Sequence, residues 1–400
     1  MSTLESNVDL KPDWGLNQFD PWDRRITDDN IWPIYRAMRE EGPVLHSEAL
    51  GGFWCVTRYQ EVRAAALDHR TFSSRNALEI GKQNWTDRPK TRLIETDPPE
   101  HTRIRKAMQA PILQKRMSEF SDGIRESVSE LISLITQKKE FDIVTDLAEP
   151  IPQDVLGRIL GFDEETRRRN RELVRKFVHA DLSASEEAHA DFWAFLVETI
   201  QKRLRYPGED FLSQLCVSEV DGQRFSESEL VGMLHGFALA GHHTAIDGIS
   251  SMLKHLAREE MKTLYLGDPA MGSQIVEETL RFDPPIHLEG RTTTVDTVLG
   301  GVKIPAGESV ALIYASANHD DRQFENPEEF EPRRGTIQHL AFGYGIHMCI
   351  GLHLARLEMK TVLEETMRSL PRYRLCGDPV NSGMVFGHHM GWESMPASIT

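Results

Sequence analysis

Residues 339–360, HLAFGYGIHMCIGLHLARLEMK, place one cysteine between a glycine-rich segment and a helical pattern. After Cys349, apolar side chains recur on a single helical face, at Leu352, Ala355, Met359 and Val362. Pro371 marks the far end of this predicted helix. Cys349 therefore comes just before a helix N-terminus, where unpaired backbone N–H groups favour the thiolate, the form that binds metals.

Glycine accompanies this cysteine on both sides, at Gly343, Gly345 and Gly351. Glycine lets a backbone turn sharply or approach a large flat group closely. The residues alone leave two interpretations open. Cys349 is a ligand beside such a group, or it is a buried structural cysteine at a glycine-rich turn, which is the usual role of a lone cysteine.

Composition narrows the class of protein. The chain has 400 residues, and its 46 Lys and Arg against 62 Asp and Glu give a net charge of −16, which argues against general nucleic-acid binding. No positively charged start precedes an apolar run, and no apolar stretch approaches about 20 residues, so we expect a cytoplasmic protein without a membrane anchor. The cysteines form no CxxC pair, which argues against a disulfide scaffold, an iron–sulfur cluster or structural zinc.

The rest of the pattern is mainly helical with small strand regions. Residues 42–59, GPVLHSEALGGFWCVTRY, predict a β-hairpin around a Gly-Gly turn. Residues 292–314 predict further strands, because β-branched residues alternate there with Gly and Pro. Strands and helices do not alternate regularly, so the pattern does not favour a doubly wound parallel sheet.

One long helix is predicted from Ser226 to about Leu256, a span without proline. At 1.5 Å per residue it would be roughly 45 Å long and would cross the whole molecule. One of its faces carries Leu230, Leu234, Phe237, Gly241, Thr244 and Gly248. Glycine costs about 1 kcal/mol relative to alanine inside a helix, so these glycines indicate either the close approach of another group or tight helix packing.

The spacing around Cys349 resembles a known pattern. The loop matches Phe-x-x-Gly-x-x-x-Cys-x-Gly at Phe342, Gly345, Cys349 and Gly351, and Ala355-Arg356 follows. It resembles the haem-thiolate loop of the cytochromes P450. Further segments resemble P450 motifs in chain order: DPPEHTRIRK (97–106), LAGHHTAID (239–247), ETLR (278–281) and FEPRR (330–334), the last with Glu in place of the usual Asp.

The resemblance implies a soluble bacterial P450. We then expect one triangular, mainly α domain with a small β-rich region over residues 1–400, preceded by a polar arm at residues 1–25. The cofactor would be haem b, with its iron bound by Cys349. Thiolate ligation favours O–O cleavage, so oxygen activation is the expected chemistry.

Family positions also imply which residues contact the haem. They are His101, Arg105, Arg291, Phe342, Gly343 and His347, besides Cys349. The histidines and arginines would supply the cations or hydrogen-bond donors that two partly buried haem propionates need. Glu278, Arg281 and Arg334 are expected to form a planar charge network that fixes the FEPRR segment and takes no part in the chemistry.

The central helix departs from the family at one position. The family pattern is Ala/Gly-Gly-x-Asp/Glu-Thr, whereas residues 240–244 read AGHHT, so histidine stands at the acid position. By resemblance, Thr244 beside Gly241 contacts dioxygen or its water and helps to deliver protons. His243 either replaces the carboxylate as a proton shuttle, held by Asp247 on the same face, or faces solvent or another helix while water supplies the protons.

Substrate contacts are assigned by family position. They are Ile80 and Trp85 of the variable loop, Leu234, Phe237 and Ala238 of the central helix, Ile286, His287 and Leu288 of PIHLEG, and Val385. Most are apolar, which favours a small or medium hydrophobic substrate such as a terpenoid, an aromatic compound or a steroid, with His287 adding one polar contact. Each of them is equally compatible with an ordinary core position.

Electrons must come from a separate protein, because the chain contains no flavin, Rossmann or ferredoxin motif. The charges between residues 102 and 116 are all positive: Arg103, Arg105, Lys106, Lys115 and Arg116. They would suit an acidic ferredoxin served by an NAD(P)H-dependent reductase, or they form a solvated helix face. We expect a monomer.

Three functions are compatible with these features. The leading prediction is a haem-thiolate monooxygenase that inserts one oxygen atom from O2, by hydroxylation or O-dealkylation. A peroxide-driven peroxygenase is the alternative that the missing acid permits, although the retained Thr244 argues against it. A non-catalytic haem-binding protein comes last, because it would not need the thiolate and Thr244 together.

Overall fold

The computed structural model describes residues 15–75, 80–81, 91–114, 117–178 and 185–399. The helices of these ranges are α1 (Asp28–Glu41), α2 (Tyr59–Leu67), α3 (Glu100–Met108), α4 (Met117–Ile135), α5 (Pro150–Leu160), α6 (Glu164–Val178), α7 (Ser185–Arg205), α8 (Phe211–Val217), α9 (Glu227–Ala240), α10 (His243–Leu256), α11 (Glu259–Gly267), α12 (Gly272–Phe282), α13 (Tyr314–Asn318) and α14 (Leu352–Ser369). The strands are β1 (Val44–Ser47), β2 (Phe53–Val56), β3 (Phe72–Ser73), β4 (Glu140–Asp142), β5 (Glu219–Val220), β6 (Gln223–Arg224), β7 (Glu289–Thr293), β8 (Thr297–Leu299), β9 (Val302–Ile304), β10 (Ser309–Leu312), β11 (Arg374–Leu375), β12 (Val380–Val385), β13 (His389–Ser394) and β14 (Pro396–Ser398).

The largest sheet has the strand order β1-β2-β10-β7-β3. β1 and β2 form the predicted hairpin. Their antiparallel pairing runs from the pair Val44–Val56 to the pair Ser47–Phe53. β10 lies parallel to β2 and antiparallel to β7. The strands predicted at residues 292–314 are therefore confirmed, and β10 joins this part of the chain to β2, near its start. β11, β14 and β4 form a second small sheet, and β12 pairs with β13.

The long central helix is broken, contrary to the sequence-based expectation. α9 ends at Ala240 and α10 begins at His243. At the junction the Thr244 hydroxyl donates a 2.7 Å hydrogen bond to the Ala240 carbonyl, and the His242 N–H turns back to Leu239 O at 3.2 Å. Hydroxyl bonds of this kind compete with the backbone ladder and bend helices. The break therefore coincides with the AGHHT motif.

α10 lies in the centre of the main hydrophobic core. Ile249, Met252, Leu253 and Leu256 have no exposed surface. A Cβ added at Gly248 would lie 3.3 Å from the Met359 sulfur of α14. Tight packing between the two helices thus explains this glycine, and it couples the helix of the AGHHT motif to the helix that follows Cys349.

Candidate active site

Cys349 lies between the turn at Gly345–His347 and the start of α14, as the sequence predicts. Its backbone N–H donates to the Phe342 carbonyl at 2.8 Å, and the Gly351 N–H is hydrogen bonded to its sulfur. The side chain has exposed surface, and the surrounding protein desolvates its sulfur. The sulfur is thus accessible although protein groups lie around it.

Desolvation raises the pKa of the Cys349 thiol above its usual range. The Gly351 hydrogen bond and the charges of Arg105 and Arg356 oppose this increase, and the Glu289 carboxylate adds to it. The helix start therefore favours the thiolate, but it does not hold the free sulfur in that form by itself. A bound metal ion would hold the sulfur as the thiolate, because coordination displaces the thiol proton.

Two glycines of the Cys349 loop have left-handed backbone conformations, Gly343 at φ 66° and Gly345 at φ 73°. A Cβ at Gly345 would lie 2.5 Å from the carbonyl oxygen of Ala66, near the end of α2. At Gly343 the closest atom would be 3.8 Å away. The loop therefore presses against α2 at one glycine and is open at the other.

The Phe342 ring is held by an ion network that the sequence reasoning missed. The Arg356 guanidinium lies 4.7 Å from the ring centroid, and Arg356 donates to Glu277 at 2.8 Å. His339 lies 3.2 Å from the same carboxylate. Desolvation favours a higher pKa for Glu277, but the bonds from Arg356 and His339 lower it to about 2. The sequence offered one signal, an acid directly before Glu278.

His101 and His347 lie side by side, with ring centroids 4.4 Å apart. Their Nε2 atoms are buried and make no hydrogen bond with the described residues. Burial, followed by the charge of Arg105, lowers the pKa of His101 to about 4. Burial, followed by the charge of Arg291, lowers that of His347 to about 2. The neutral imidazoles of His101 and His347 thus lie near the guanidinium groups of Arg105 and Arg291.

Arg291 is buried beside an acid and a tyrosine that were not predicted. It donates to the Gly290 carbonyl at 2.6 Å, to Glu289 at 3.3 Å and to the Tyr314 hydroxyl at 3.5 Å. Burial raises the pKa of Tyr314 beyond its usual range. The guanidinium is therefore only partly neutralised by Glu289, and it retains capacity for a second anion.

These residues fit a haem. An exposed sulfur in an enclosed position suits a metal ligand, and glycines allow its loop to approach a flat ring. Buried imidazole nitrogens without partners are costly, and an anionic group hydrogen bonded to them would remove that cost. The two histidines and two arginines therefore match the two carboxylates of a haem.

The Glu278 network has the contacts that the sequence predicts. Arg281 has no exposed surface and binds both Glu278 oxygens, at 2.7 and 2.8 Å. It also donates to the carbonyls of Asn318, Pro327 and Glu329. Arg334 adds a 3.0 Å bond to Glu278. The network joins α12 to the segment before the Cys349 loop.

Gly241, His243 and Thr244 lie together at the break between α9 and α10. Each is partly exposed, whereas His242 is buried. The rings of His242 and His243 meet nearly at right angles, with centroids 4.6 Å apart. The break therefore displays a hydroxyl and an imidazole at the one point where the central helix is not continuous.

Asp247 contacts a histidine that the sequence analysis did not name. Its carboxylate lies against the His389 ring of β13 and accepts the Trp392 backbone N–H at 3.3 Å. The His389 ring lies 5.7 Å from the His243 ring, centroid to centroid. Asp247 thus reaches His243 through a second histidine, because β13 packs along α10.

Most predicted substrate contacts lie in the hydrophobic core. Leu234 and Leu288 have no exposed surface, and their assignment to the substrate stays a prediction. Ile80, Phe237 and Ala238 are 3%, 7% and 2% exposed. Ile286 and Val385 are partly exposed and remain candidates. Trp85 lies outside the described residues.

His287 is buried against α1. Its Nδ1 lies 3.2 Å from the Tyr35 hydroxyl, and its ring lies 5.3 Å from that of Trp32. Burial, followed by the charge of His389, lowers the pKa of His287 to about 3. This nitrogen is therefore engaged by Tyr35, and the polar contact to a substrate that His287 was expected to make stays a prediction.

The predicted cationic patch is largely neutralised where the structure describes it. Arg103 pairs with Glu229, and Lys106 pairs with Asp221 at 3.1 Å. Arg105 instead lies close enough to Cys349 for its positive charge to favour a lower pKa of the thiol. Lys115 and Arg116 lie outside the described residues.

Known proteins are similar to this chain along most of its length. A sequence model described as "Cytochrome P450" matches residues 271–372. The chain is 33% identical over 381 residues to a steroid C26-monooxygenase of Mycobacterium tuberculosis, covering 92% of this chain and 93% of that protein. The chain belongs to the cytochrome P450 family. This P450 is also 32% identical over 356 residues to the cytochrome P450 monooxygenase PikC of Streptomyces venezuelae, covering 87% and 86%.

Solved structures confirm the fold of the P450. CYP108D1 from Novosphingobium aromaticivorans has a TM-score of 0.85 at 27% identity, covering 96% of this chain and 97% of that one. Cytochrome P450 CREJ, in complex with (4-ethylphenyl) dihydrogen phosphate, has a TM-score of 0.86 at 26% identity, covering 96% and 100%. The mainly α P450 fold is thus confirmed, and the protein is a P450 monooxygenase, an oxidoreductase whose family uses a haem-thiolate cofactor. Among its described helices, none combines the length and apolar character needed to cross a membrane.

Proposed function

We propose that this P450 inserts one oxygen atom from O2 into a small or medium hydrophobic substrate, by hydroxylation or O-dealkylation. Electrons would come from a separate ferredoxin and its NAD(P)H-dependent reductase. The observation that carries the proposal is the packing of α10 on α14. It couples the helix that starts beside Thr244 to the helix that starts beside Cys349.

Cys349 would hold the iron of haem b, with His101, His347, Arg105 and Arg291 binding the propionates. When bound, the haem activates dioxygen, and thiolate ligation favours cleavage of the O–O bond. The arginines and neutral imidazoles donate hydrogen bonds to anions. His101 and Arg291 are buried, and an environment of low polarity strengthens such bonds.

Thr244 and His243 would supply protons at the helix break. The Thr244 hydroxyl donates its hydrogen to Ala240 O, which leaves the Oγ lone pairs free to accept a hydrogen bond from water or from a neighbouring group. His243 stands where the family has an acid, and imidazole changes charge near working pH. We assign it the role of shuttle that brings protons toward Thr244.

The shuttle role is tested by His243→Ala. We expect the product formed per NAD(P)H to fall about tenfold or more, because general acid catalysis contributes at least about that much. His46→Ala, at an exposed histidine of β1, serves as the control and should behave as wild type. Equal product yield in His243→Ala and wild type would rule out the shuttle.

The oxidation itself is tested in two steps. Reduced protein exposed to carbon monoxide should show the red-shifted absorption band of thiolate-bound haem, and Cys349→Ser should lose it. A panel of terpenoids, aromatic compounds and steroids is then scored for the haem spin shift, and steroids are included because relatives are named steroid C26-monooxygenases. Product with ferredoxin, reductase and NAD(P)H supports the proposal, whereas turnover with peroxide alone would favour a peroxygenase.

A further inference from the structure

Asp247, His389 and His243 form a contiguous polar group beside the break between α9 and α10. The side chains of Asp247 and His389 are 7% and 8% exposed, and the His389 Nε2 atom lies against an Asp247 oxygen without the geometry of a hydrogen bond. The His389 ring then meets the His243 ring at an interplanar angle of 77° and a centroid separation of 5.7 Å. Ring edges are in contact at this separation.

The backbone of β13 is fitted closely to this group. A Cβ at Gly391 would lie 1.7 Å from an Asp247 oxygen, so only glycine allows the strand to come so near. The Trp392 backbone N–H donates to the same oxygen, Oδ1, at 3.3 Å, whereas His389 lies against Oδ2. The carboxylate is thus held between the N–H of one residue and the ring of His389, which fixes where that imidazole lies.

We propose that His389, held by Asp247, is a positioning residue that orients the His243 ring and passes protons to it. This inference rests on the proposed shuttle role of His243. A carboxylate in contact with an imidazole nitrogen limits the positions that the ring can take and favours its charged form. The arrangement supplies from another strand what the family places directly on the central helix as an acid.

The proton balance is closed within the group. When His243 gives a proton toward Thr244, it takes one from the His389 ring in exchange, and Asp247 neither gains nor loses a proton in this step. Solvent then restores the proton on His389. The other titratable groups nearby are His242, beside His243, and His287, which senses the charge of His389. The charge of Asp283 favours a higher pKa of His287, and Asp283 lies 2.6 Å from the Nε2 atom of His255.

A purely mechanical role is the competing explanation, because the same contacts fasten β13 to α10. Ser251→Ala is a matched control for it. Ser251 lies one turn beyond Asp247 and accepts the Trp392 indole N–H at 3.0 Å, so its loss loosens the same strand without touching the histidines. Asp247→Asn and His389→Gln keep the size of each side chain and remove the charge.

The test combines a spectroscopic and a functional measurement on the haem-loaded protein. In the reduced, carbon monoxide-bound form, which is diamagnetic, imidazole NMR signals of His243 are assigned by comparison with His243→Gln. We expect the His243 titration midpoint to move in Asp247→Asn and His389→Gln, but not in Ser251→Ala. We also expect the first two variants to lose about tenfold in product per NAD(P)H while the substrate spin shift is retained.

Each outcome decides the inference. An unchanged His243 titration in both charge variants overturns it, even if their stability falls as it does in Ser251→Ala. If neither variant folds, the wild type suffices: a His389 titration with no matching step at His243 overturns the coupling. Failure of the wild type to form product would count against the monooxygenase proposal, but the NMR result would still stand.

Discussion

Glu358 places a carboxyl group in the buried face of α14, where it is 3% exposed. Burial raises its pKa from the ordinary 4.5 to about 8. Between these values the folded protein keeps a proton that the unfolded chain releases. Stability is therefore unaffected below about 4.5 and falls as the pH rises toward about 8. An acid at this position thus destabilises the fold at neutral pH.

Replacing Glu358 by glutamine should stabilise the protein at neutral pH. The amide is never ionised, so the gain should be on the order of 3 kcal/mol near pH 7 and small near pH 5. Chemical denaturation of wild type and variant at both pH values measures the difference. Glu364→Gln, at an exposed pair with Arg125, is the control and should change stability by less than about 1 kcal/mol. A gain independent of pH would contradict the argument.

Single residues divide clearly into those a sequence can assign and those it cannot. Cys349 was predicted because its spacing to glycine and to a helix is local. The raised pKa of the same thiol was not predicted, because desolvation comes from residues that are distant in the chain. His287 was assigned to substrate by position, but its environment depends on Tyr35 of α1, which nothing in the local pattern indicates.

At the scale of elements, the Cys349 loop is constrained by its contact with α2. Gly345→Ala adds a Cβ 2.5 Å from a backbone oxygen at a left-handed position, so the loop must move. We expect a loss of at least about 2 kcal/mol in unfolding free energy and a lower haem-to-protein absorbance ratio.

Gly343→Ala separates backbone strain from this collision. Its φ is similar, but its Cβ would meet no atom closer than 3.8 Å, so only about 1 kcal/mol should be lost. Urea unfolding and haem content are measured on both variants side by side. Equal losses would show that the contact between the loop and α2 does not constrain the site.

Local signals predicted a few of the elements. The Gly-Gly turn predicted the β1–β2 hairpin, and apolar periodicity ended by Pro371 predicted α14. The break between α9 and α10 was missed, because helix periodicity continues across it. Its cause is a side-chain hydroxyl that bonds to a carbonyl four residues earlier, and threonine in a helix does not always do this.

At the scale of the whole molecule, the buried Glu278 network joins α12 to the segment that leads to the Cys349 loop. Arg281→Ala would leave Glu278 charged and buried with one cation fewer, which costs about 3–5 kcal/mol. We expect little haem-loaded protein and a lower thermal midpoint. Arg168→Ala, at a pair with Glu172 in which both side chains are more than half exposed, should change little. Stable, haem-loaded Arg281→Ala with wild-type spectra would refute this role.

Motif order predicted the fold, whereas contacts between distant segments needed the structure. The pairs Asp247–His389 and Glu277–Arg356 join residues far apart in sequence. Neither pair has a spacing rule, because each depends on how two packed elements are aligned. The sequence could therefore place the cofactor ligand and the helix of the AGHHT motif, but not the side chains that orient them.

The pairing of Arg103 with Glu229 and of Lys106 with Asp221 affects how another protein could meet this surface. Charges already neutralised within the P450 attract an acidic partner only weakly. For the described part of this face, we therefore expect the association rate of an electron donor to change little between low and high ionic strength. Encounters steered by free charges slow down steeply as salt is added.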